Sequence, residues 1–278
     1  MLINNGVINP ALLELIRASG LVVVDESPQA INAMLQEKWK VCEGAQRAQI
    51  QGRFPNEGEM MLLRQLGTEE VPIDFDTKYD GTLLLGATLE VVVRRVRFME
   101  TEEDKGVGEN IPEPLYLLGS RRALYHNQEM PEHVRAILEQ TGARFNGLWK
   151  DFAAFGNWPQ NEIMMMKCVV FWMGVSNWNH QLIPVPCVLK PDNSLRSANT
   201  AETIKEWLLY APPGHYLVVS SQPSCEYQLM AVERAVKEAC AEGYTFDVCG
   251  PEAPLLPLPR WLDNLAKQLW EEVQLLSK

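Results

Sequence analysis

Short apolar runs alternate with helical patterns over most of the chain. Three of the runs lead into small or polar residues. The run at 217–219 suits a strand that is covered on both faces of a sheet, whereas residues 244–250 alternate as a less buried strand does. The runs are residues 82–88, 115–122, 183–189, 217–219 and 244–250. Because strands and helices alternate after residue 80, the sequence predicts an α/β fold with a mostly parallel sheet flanked by helices.

The first part of the chain has mainly helical spacing, with one short apolar run at residues 21–24 that is either a strand or a link. Pro10 begins one helix, and Ser27 caps a second helix whose apolar face reaches Cys42. We therefore expect a helical N-terminal layer (residues 1–78) on a larger α/β domain (residues 79–278). Further helices are predicted for residues 57–66, 131–138, 161–172, 200–208, 225–241 and 262–276, the last as a docking helix.

Other segments are less regular. Residues 91–98 are β-branched like a strand, but they follow a strand-to-helix turn, so both structures stay open. Residues 100–114 are acidic and contain Gly and Pro, and they predict a surface loop. Residues 190–196 predict a turn, and Thr200 is expected to cap the helix after it.

Composition narrows the function classes. The formal charge of −11 over 278 residues argues against a general affinity for nucleic acid or for anionic membranes. No apolar run approaches the roughly 20 residues that span a bilayer, and the N-terminus lacks a signal-peptide pattern, so we expect a cytoplasmic protein. The six cysteines are scattered without C-x-x-C pairs or nearby histidines, so neither a disulfide framework nor a metal site is expected.

Polar or small residues at two strand ends predict a ligand site. Ser220, Ser221 and Gln222 follow a buried run at its carboxyl end, where open α/β sheets bind ligands. Gly86 and Ala87 end another run, and a glycine there lets the backbone approach a ligand closely. This turn is neither G-x-G-x-x-G nor a P-loop. The two ends together predict a cleft.

Two groups of arginines lie near these strand ends. Arg94, Arg95 and Arg97 form a basic cluster in an acidic protein, either on a solvated helix face or facing an anion. Arg121 and Arg122 directly follow another strand. Their guanidinium groups suit phosphate or carboxylate, although salt bridges to the acidic loop upstream explain them equally well.

Helix starts supply the remaining candidates. Asn161 and residues 199–200 would offer backbone N–H groups to an anion. Glu162 and Glu202 lie in the first turns of these helices and are candidate acid/base or hydroxyl-binding groups. Glu162 also suits the helix dipole without any catalytic role. Cys225 is an alternative nucleophile, because a helix N-terminus lowers the pKa of a thiol.

The order of these motifs resembles the SanA/YdcF-like proteins, a domain family without a settled function. The matching motifs are Leu85-Gly86-Ala87, Arg94 or Arg97, Leu118-Gly119-Ser120, Asn161-Glu162, Asn199-Thr200-Ala201-Glu202-Thr203 and Ser220-Ser221-Gln222. The resemblance covers about residues 80–250 and implies a Rossmann-like sheet with a ligand cleft at the strand carboxyl ends. It also implies nucleotide-like ligands such as S-adenosylmethionine. The family's final histidine and arginine are absent, and this chain has Gln222, Tyr227 and Gln228 there.

Two classes of function follow. The first is a small-molecule-binding protein with a cleft for an anionic or nucleotide-like ligand, as a hydrolase or transferase if it is an enzyme. The second is a non-enzymatic interaction protein on a degenerate enzyme fold, with a protein partner bound by the outer helices. The residues themselves do not identify a cofactor. The resemblance suggests S-adenosylmethionine or another nucleotide.

Overall fold

The structure, a computed structural model, describes residues 1–41, 50–105, 110–175 and 178–276. The strands are β1 (Ile3–Asn4), β2 (Val7–Ile8), β3 (Gly81–Leu85), β4 (Leu115–Ser120), β5 (His180–Val185), β6 (Val188–Leu189), β7 (Leu195–Arg196), β8 (Gly214–Val219) and β9 (Tyr244–Cys249). The helices are α1 (Pro10–Ala18), α2 (Pro28–Lys38), α3 (Glu57–Gln65), α4 (Leu89–Lys105), α5 (Pro131–Thr141), α6 (Leu148–Ala154), α7 (Glu162–Trp172), α8 (Thr200–Trp207), α9 (Cys225–Glu238) and α10 (Leu258–Leu276). Cys42, predicted on the face of the second helix, lies outside the described residues.

Five parallel strands form the central sheet in the order β5-β4-β3-β8-β9. Leu83 of β3 lies opposite Tyr116 of β4 and Val218 of β8, so β3 is paired on both sides. The chain adds β4 and β5 on one side of β3, and it then adds β8 and β9 on the other side. The prediction of a Rossmann-like α/β fold with flanking helices is confirmed. Its topological switch point lies between β3 and β8.

Alternate side chains of the sheet enter two different cores. Leu84 and Leu117 pack with residues of α4 and α7 on one face. Leu83, Tyr116 and Val218 pack with residues of α8 and α9 on the other face. Because both faces are covered, the central strands β3, β4 and β8 are mostly apolar and appear in the sequence as continuous apolar runs, whereas the edge strands β5 and β9 contain exposed polar residues.

A third core joins the two ends of the chain. Leu12, Leu35 and Leu269 are completely buried in a cluster made by α1, α2, α3 and α10. The C-terminal helix docks as predicted, and the surface on which it docks includes the N-terminal helices. Arg234 of α9 pairs with Glu271 of α10 and links this core to the sheet. No helix among the described residues is long and apolar enough to cross a membrane.

The N-cap of α8 differs from the prediction. Asn199 caps the helix instead of Thr200, because its side chain accepts a hydrogen bond from the Glu202 N–H. The Glu202 carboxylate accepts in turn from the Asn199 N–H at 2.7 Å. This reciprocal capping box favours Asn199 over the neighbouring threonine.

The acidic segment after residue 99 also differs from the prediction. Residues 91–98 are helical, and α4 continues to Lys105, so the predicted loop 100–114 was wrong in its first part. Ion pairs one turn apart, Arg97 with Glu100 and Glu102 with Lys105, stabilise this extension.

Two small hairpins were not predicted. β1 and β2 pair antiparallel within the expected helical layer, and β6 and β7 pair across the predicted turn 190–196. The strand predicted for residues 183–189 ends at Val185, and the chain then enters the second hairpin. Two-residue strands are too short to produce an alternating pattern, so the sequence carries no periodic signal for them.

Candidate functional site

The carboxyl ends of β3 and β8 meet at the topological switch point of the sheet. Residues 86–88 lead from β3 into α4, and residues 220–224 lead from β8 into α9. In open α/β sheets this is the position where ligands bind. The side chains gathered here are therefore the first candidates for a site.

Arg95 reaches the switch point from the second turn of α4. Its Nη1 donates to the Leu85 carbonyl oxygen at 2.6 Å, and its Nη2 donates to Ser221 Oγ at 3.3 Å. The residue is 4% exposed, and its Nε has no hydrogen-bond partner among the described residues. Burial lowers the pKa of the Arg95 guanidinium to about 10, so the side chain stays charged at neutral pH.

Ser220 and Cys225 complete this side of the site. Ser220 is completely buried, and its Oγ makes no hydrogen bond with any described residue. The Cys225 thiol lies near this hydroxyl, which slightly favours the thiolate. Burial raises the pKa of the Cys225 thiol to about 12, and the nearby Arg95 opposes this only in part. The thiol is therefore protonated at neutral pH, which argues against the nucleophilic alternative.

Glu162 lies on the other side of the switch point, at the start of α7. Its Oε2 accepts from the Ser120 N–H at 2.8 Å and from Ser120 Oγ at 2.5 Å, and its Oε1 accepts from Arg122 Nη2 at 3.3 Å. A Cβ placed on Gly86 would lie 3.1 Å from the Glu162 carboxyl carbon and 2.8 Å from the Leu118 carbonyl oxygen. Gly86 thus permits a close approach, and the group that approaches is the chain's own carboxylate.

A second internal carboxylate, Glu129, lies at the N-terminus of α4. It is completely buried, and it accepts from the Leu89 N–H at 3.1 Å and from the Tyr125 N–H at 2.6 Å. Arg122 donates to its two oxygens at 2.6 and 2.9 Å and to the Ala87 carbonyl oxygen at 3.1 Å. Rossmann folds bind phosphate at the N-terminus of the helix after the first strand. In this protein a carboxylate–guanidinium pair lies there.

Three predicted site residues have roles in capping helices. Asn161 caps α7, and Asn199 with Glu202 caps α8. Glu202 also forms an ion pair with Arg196 at 2.5 Å. Burial favours the neutral form of Glu202, but the hydrogen bonds from Arg196 and Asn199 outweigh it and lower the pKa of this carboxyl. These contacts give Glu202 a structural role that needs no ligand.

Gln222 and Thr200 also have partners within the chain. Gln222 Nε2 donates to the carbonyl oxygens of Gly67 and Glu69 at 3.0 and 2.6 Å. It therefore ties the end of β8 to the segment after α3. The Thr200 hydroxyl donates to the Gln228 side chain and connects the first turns of α8 and α9.

The other predicted arginines lie outside the switch point. Arg94 donates to the Glu252 carbonyl oxygen beyond the end of β9, and Arg97 pairs with Glu100 on the surface of α4. Arg121 is exposed. The structure thus brings Arg95, rather than Arg94 or Arg97, to the strand ends.

The switch point gathers many predicted residues and one that the sequence did not single out. The predicted residues are Gly86, Ala87, Ser120, Arg122, Glu162, Ser220 and Ser221, together with Arg95 from the predicted basic cluster, and the additional residue is Glu129. A signal for Arg95 existed, since a helix over residues 91–98 places it on the same face as Val92 and Met99. Glu129 follows an irregular segment, and no pattern indicates it.

Two cavities within the described part of the chain lie away from the switch point. One of about 300 Å³ is lined by Phe75, Thr77, Tyr79, Asn110 and Pro112, near the amino ends of the strands. Another of about 170 Å³ lies between α3, α10 and residues 252–255. Neither opens at Arg95. Over the ranges that the structure describes, no group of three or more His, Cys, Asp or Glu side chains could hold a metal ion.

Comparison with known proteins identifies no family. Neither the models of known protein families nor the curated proteins include one that matches this chain. The resemblance to the SanA/YdcF-like group therefore stays a prediction.

Proposed function

We propose that the protein binds a small molecule through an anionic group at the carboxyl ends of β3 and β8, with Arg95 as the anchoring charge. A single observation carries this proposal. Arg95 is a buried cation whose neighbours are a carbonyl oxygen and a hydroxyl, and its Nε has no partner among the described residues. A buried charge is expensive unless it is paired. An anion at Nε and at the Ser220 hydroxyl would pair it.

The pairing of the neighbouring charges leaves Arg95 available to bind an anion. Arg122 is already paired with both Glu129 and Glu162. Glu162 is the carboxylate closest to Gly86 and is the candidate for binding a ligand hydroxyl or for acid/base work in a hydrolase or transferase. S-adenosylmethionine and nucleotides, which the resemblance suggests, all carry an anionic group. Arg95 is 4% exposed, so a ligand reaches its Nε only if neighbouring residues move.

Thermal unfolding with a panel of ligands tests the proposal. The panel contains nucleotides, S-adenosylmethionine, sugar phosphates and simple carboxylates, and a binder at about 100 times its Kd stabilises by about 2.7 kcal/mol. We expect at least one compound to raise the Tm of the wild type and of Arg97→Met, and to leave Arg95→Met unchanged. Arg97→Met is the matched control, since it makes the same substitution on the same helix at a half-buried position away from the strand ends.

The stability of the variant makes the comparison interpretable. Arg95→Met removes a buried charge that has no ion pair among the described residues, so we expect it to fold at least as stably as the wild type. A stabilising ligand that acts equally on wild type and Arg95→Met would contradict the assignment of the site.

A second function is favoured by the way the chain fills its own site. Glu129 occupies the N-terminus of α4, and Glu162 approaches Gly86, so two positions open to ligands in related folds hold protein carboxylates. This is the arrangement expected of an interaction protein on a degenerate enzyme fold, with a protein partner on its outer helices. The absence of any Tm change across the panel would favour this function over ligand binding.

A further inference from the structure

Glu129 takes up the hydrogen bonds that a bound phosphate would otherwise take at α4. Its carboxylate accepts four of them, two from backbone N–H groups and two from Arg122, in a completely buried position. One of the backbone donors is Leu89, the first residue of α4. A phosphate at this position would meet a negative charge in place of free N–H donors.

Two buried side-chain donors at the switch point have no partner among the described residues. They are the Nε–H of Arg95 and the hydroxyl of Ser220. Two donors match the two oxygens of a carboxylate. A phosphate monoester brings three acceptor oxygens and a charge of about −1.5 to −2 at neutral pH, which is more than these two side chains match.

The charges lead to the same ligand class. Arg95 is the guanidinium at the switch point without an ion pair among the described residues, so one negative charge neutralises it. Glu162 lies close enough to influence Arg95 electrostatically. A second negative charge on the ligand would be repelled by this carboxylate, and burial would strengthen the repulsion.

We infer that the Glu129 carboxylate fills the position at the N-terminus of α4 where an anion would otherwise bind, and that the ligand of the Arg95 site carries a carboxylate rather than a phosphate. This inference rests on the proposed function, because it names the ligand class of the same site. It excludes mononucleotides and sugar phosphates that bind through their phosphate group at α4.

A matched pair of probes tests the ligand class in the wild-type protein. Benzoate and phenyl phosphate share a ring and differ in the anionic group. We expect benzoate to bind more tightly by at least about tenfold in Kd, a difference of about 1.4 kcal/mol, and Arg95→Met to abolish this binding. Equal or tighter binding of phenyl phosphate that depends on Arg95 would overturn the inference and leave the proposed function intact. Binding of neither probe, nor of acetate or inorganic phosphate, would overturn both.

The variant Glu129→Ala tests the role of the Glu129 carboxylate separately. It vacates the α4 N-terminus and leaves Arg122 with less compensation, so we expect lower stability that inorganic phosphate restores. The Tm of Glu129→Ala should rise with phosphate far more than that of the wild type at equal ionic strength set with chloride. If the variant does not fold in chloride, refolding in phosphate is the readout, and recovery is expected. Equal responses of both proteins, or no recovery in phosphate, would contradict the role of Glu129.

Discussion

The proposed function depends on the buried charge of one residue, Arg95. Its guanidinium is buried, and burial lowers its pKa to about 10. The charge therefore persists at neutral pH at a cost in stability of several kcal/mol, on the order of 1.4 kcal/mol for each pKa unit. Functional sites commonly retain such unfavourable groups because a ligand or reaction needs them.

Gly86 is the second residue that the site depends on. A methyl group there would meet the Leu118 carbonyl oxygen at 2.8 Å and the Glu162 carboxylate at 3.1 Å. We expect Gly86→Ala to lower the free energy of unfolding by about 1–3 kcal/mol, because neither contact can relax without moving β4 or α7. Urea unfolding monitored by circular dichroism measures the change.

Gly147 provides the matched control for this substitution. A Cβ at Gly147 meets no atom within 4 Å, and its φ is −62°. Gly147→Ala should therefore be neutral or slightly stabilising, through the lower entropy of the unfolded chain. If both substitutions had the same effect, the close approach at Gly86 would not be what constrains that position.

At the residue scale, the sequence indicated the right region but not always the right side chain. Arg94, Arg95 and Arg97 are adjacent, and the choice among them depends on whether residues 91–98 are helical. The resemblance favoured Arg94 or Arg97, whereas the helix turns Arg95 toward the strand ends. Glu129 could not have been predicted, because its role depends on a fold of the chain that brings it to a helix 40 residues away in sequence.

At the scale of elements, the ion pairs of Arg234 predict how the stability of the protein depends on pH. Arg234 on α9 donates to Glu271 on α10 at 2.5 Å and to Glu238 at 2.7 Å. Hydrogen bonds from Arg234, and then from Lys205, lower the pKa of Glu238 to about 2. The stability that this carboxylate contributes is complete above its unfolded pKa of 4.5 and is lost as the pH falls through about 2.

We therefore expect Arg234→Met to be less stable than the wild type by about 1–2 kcal/mol near neutral pH, through loss of charged hydrogen bonds. The difference between the two proteins should shrink between pH 4.5 and pH 2, where Glu238 becomes protonated in the folded protein. Denaturant unfolding at pH 6 and pH 3 measures both values. The exposed Lys237, changed to Met, is the control. A difference that is constant with pH would show that the pairing of Arg234 with Glu238 does not contribute to stability.

Elements with strong end signals were predicted well. Pro10, Ser27 and Asn161 mark helix starts that the structure confirms, because each satisfies or avoids an unpaired N–H of a first helical turn. The segment after residue 99 was mistaken for a loop because its acidic composition resembles one. Ion pairs along the surface of α4 and tertiary contacts decide its structure.

At the scale of the whole molecule, the parallel sheet followed from the alternation of apolar runs and helical segments. The order of the strands could not be predicted, since both halves of the sheet show the same local sequence pattern. The packing of α10 on α1, α2 and α3 was also beyond the sequence, because periodicity shows that a helix has an apolar face and not which surface covers it. The position of the switch point, and hence of the site, depends on that order.

The central claim is that the Nε–H of Arg95 binds an anionic ligand at this switch point. The most direct measurement is the ¹H–¹⁵N NMR signal of the arginine Nε groups during titration with benzoate, with the Arg95 signal assigned by its loss in Arg95→Met. We predict that this signal shifts saturably, while the Nε signal of Arg97, which is half-buried on another face of α4, does not move. An Arg95 signal that stays unchanged through a titration in which the ligand demonstrably binds would contradict the account.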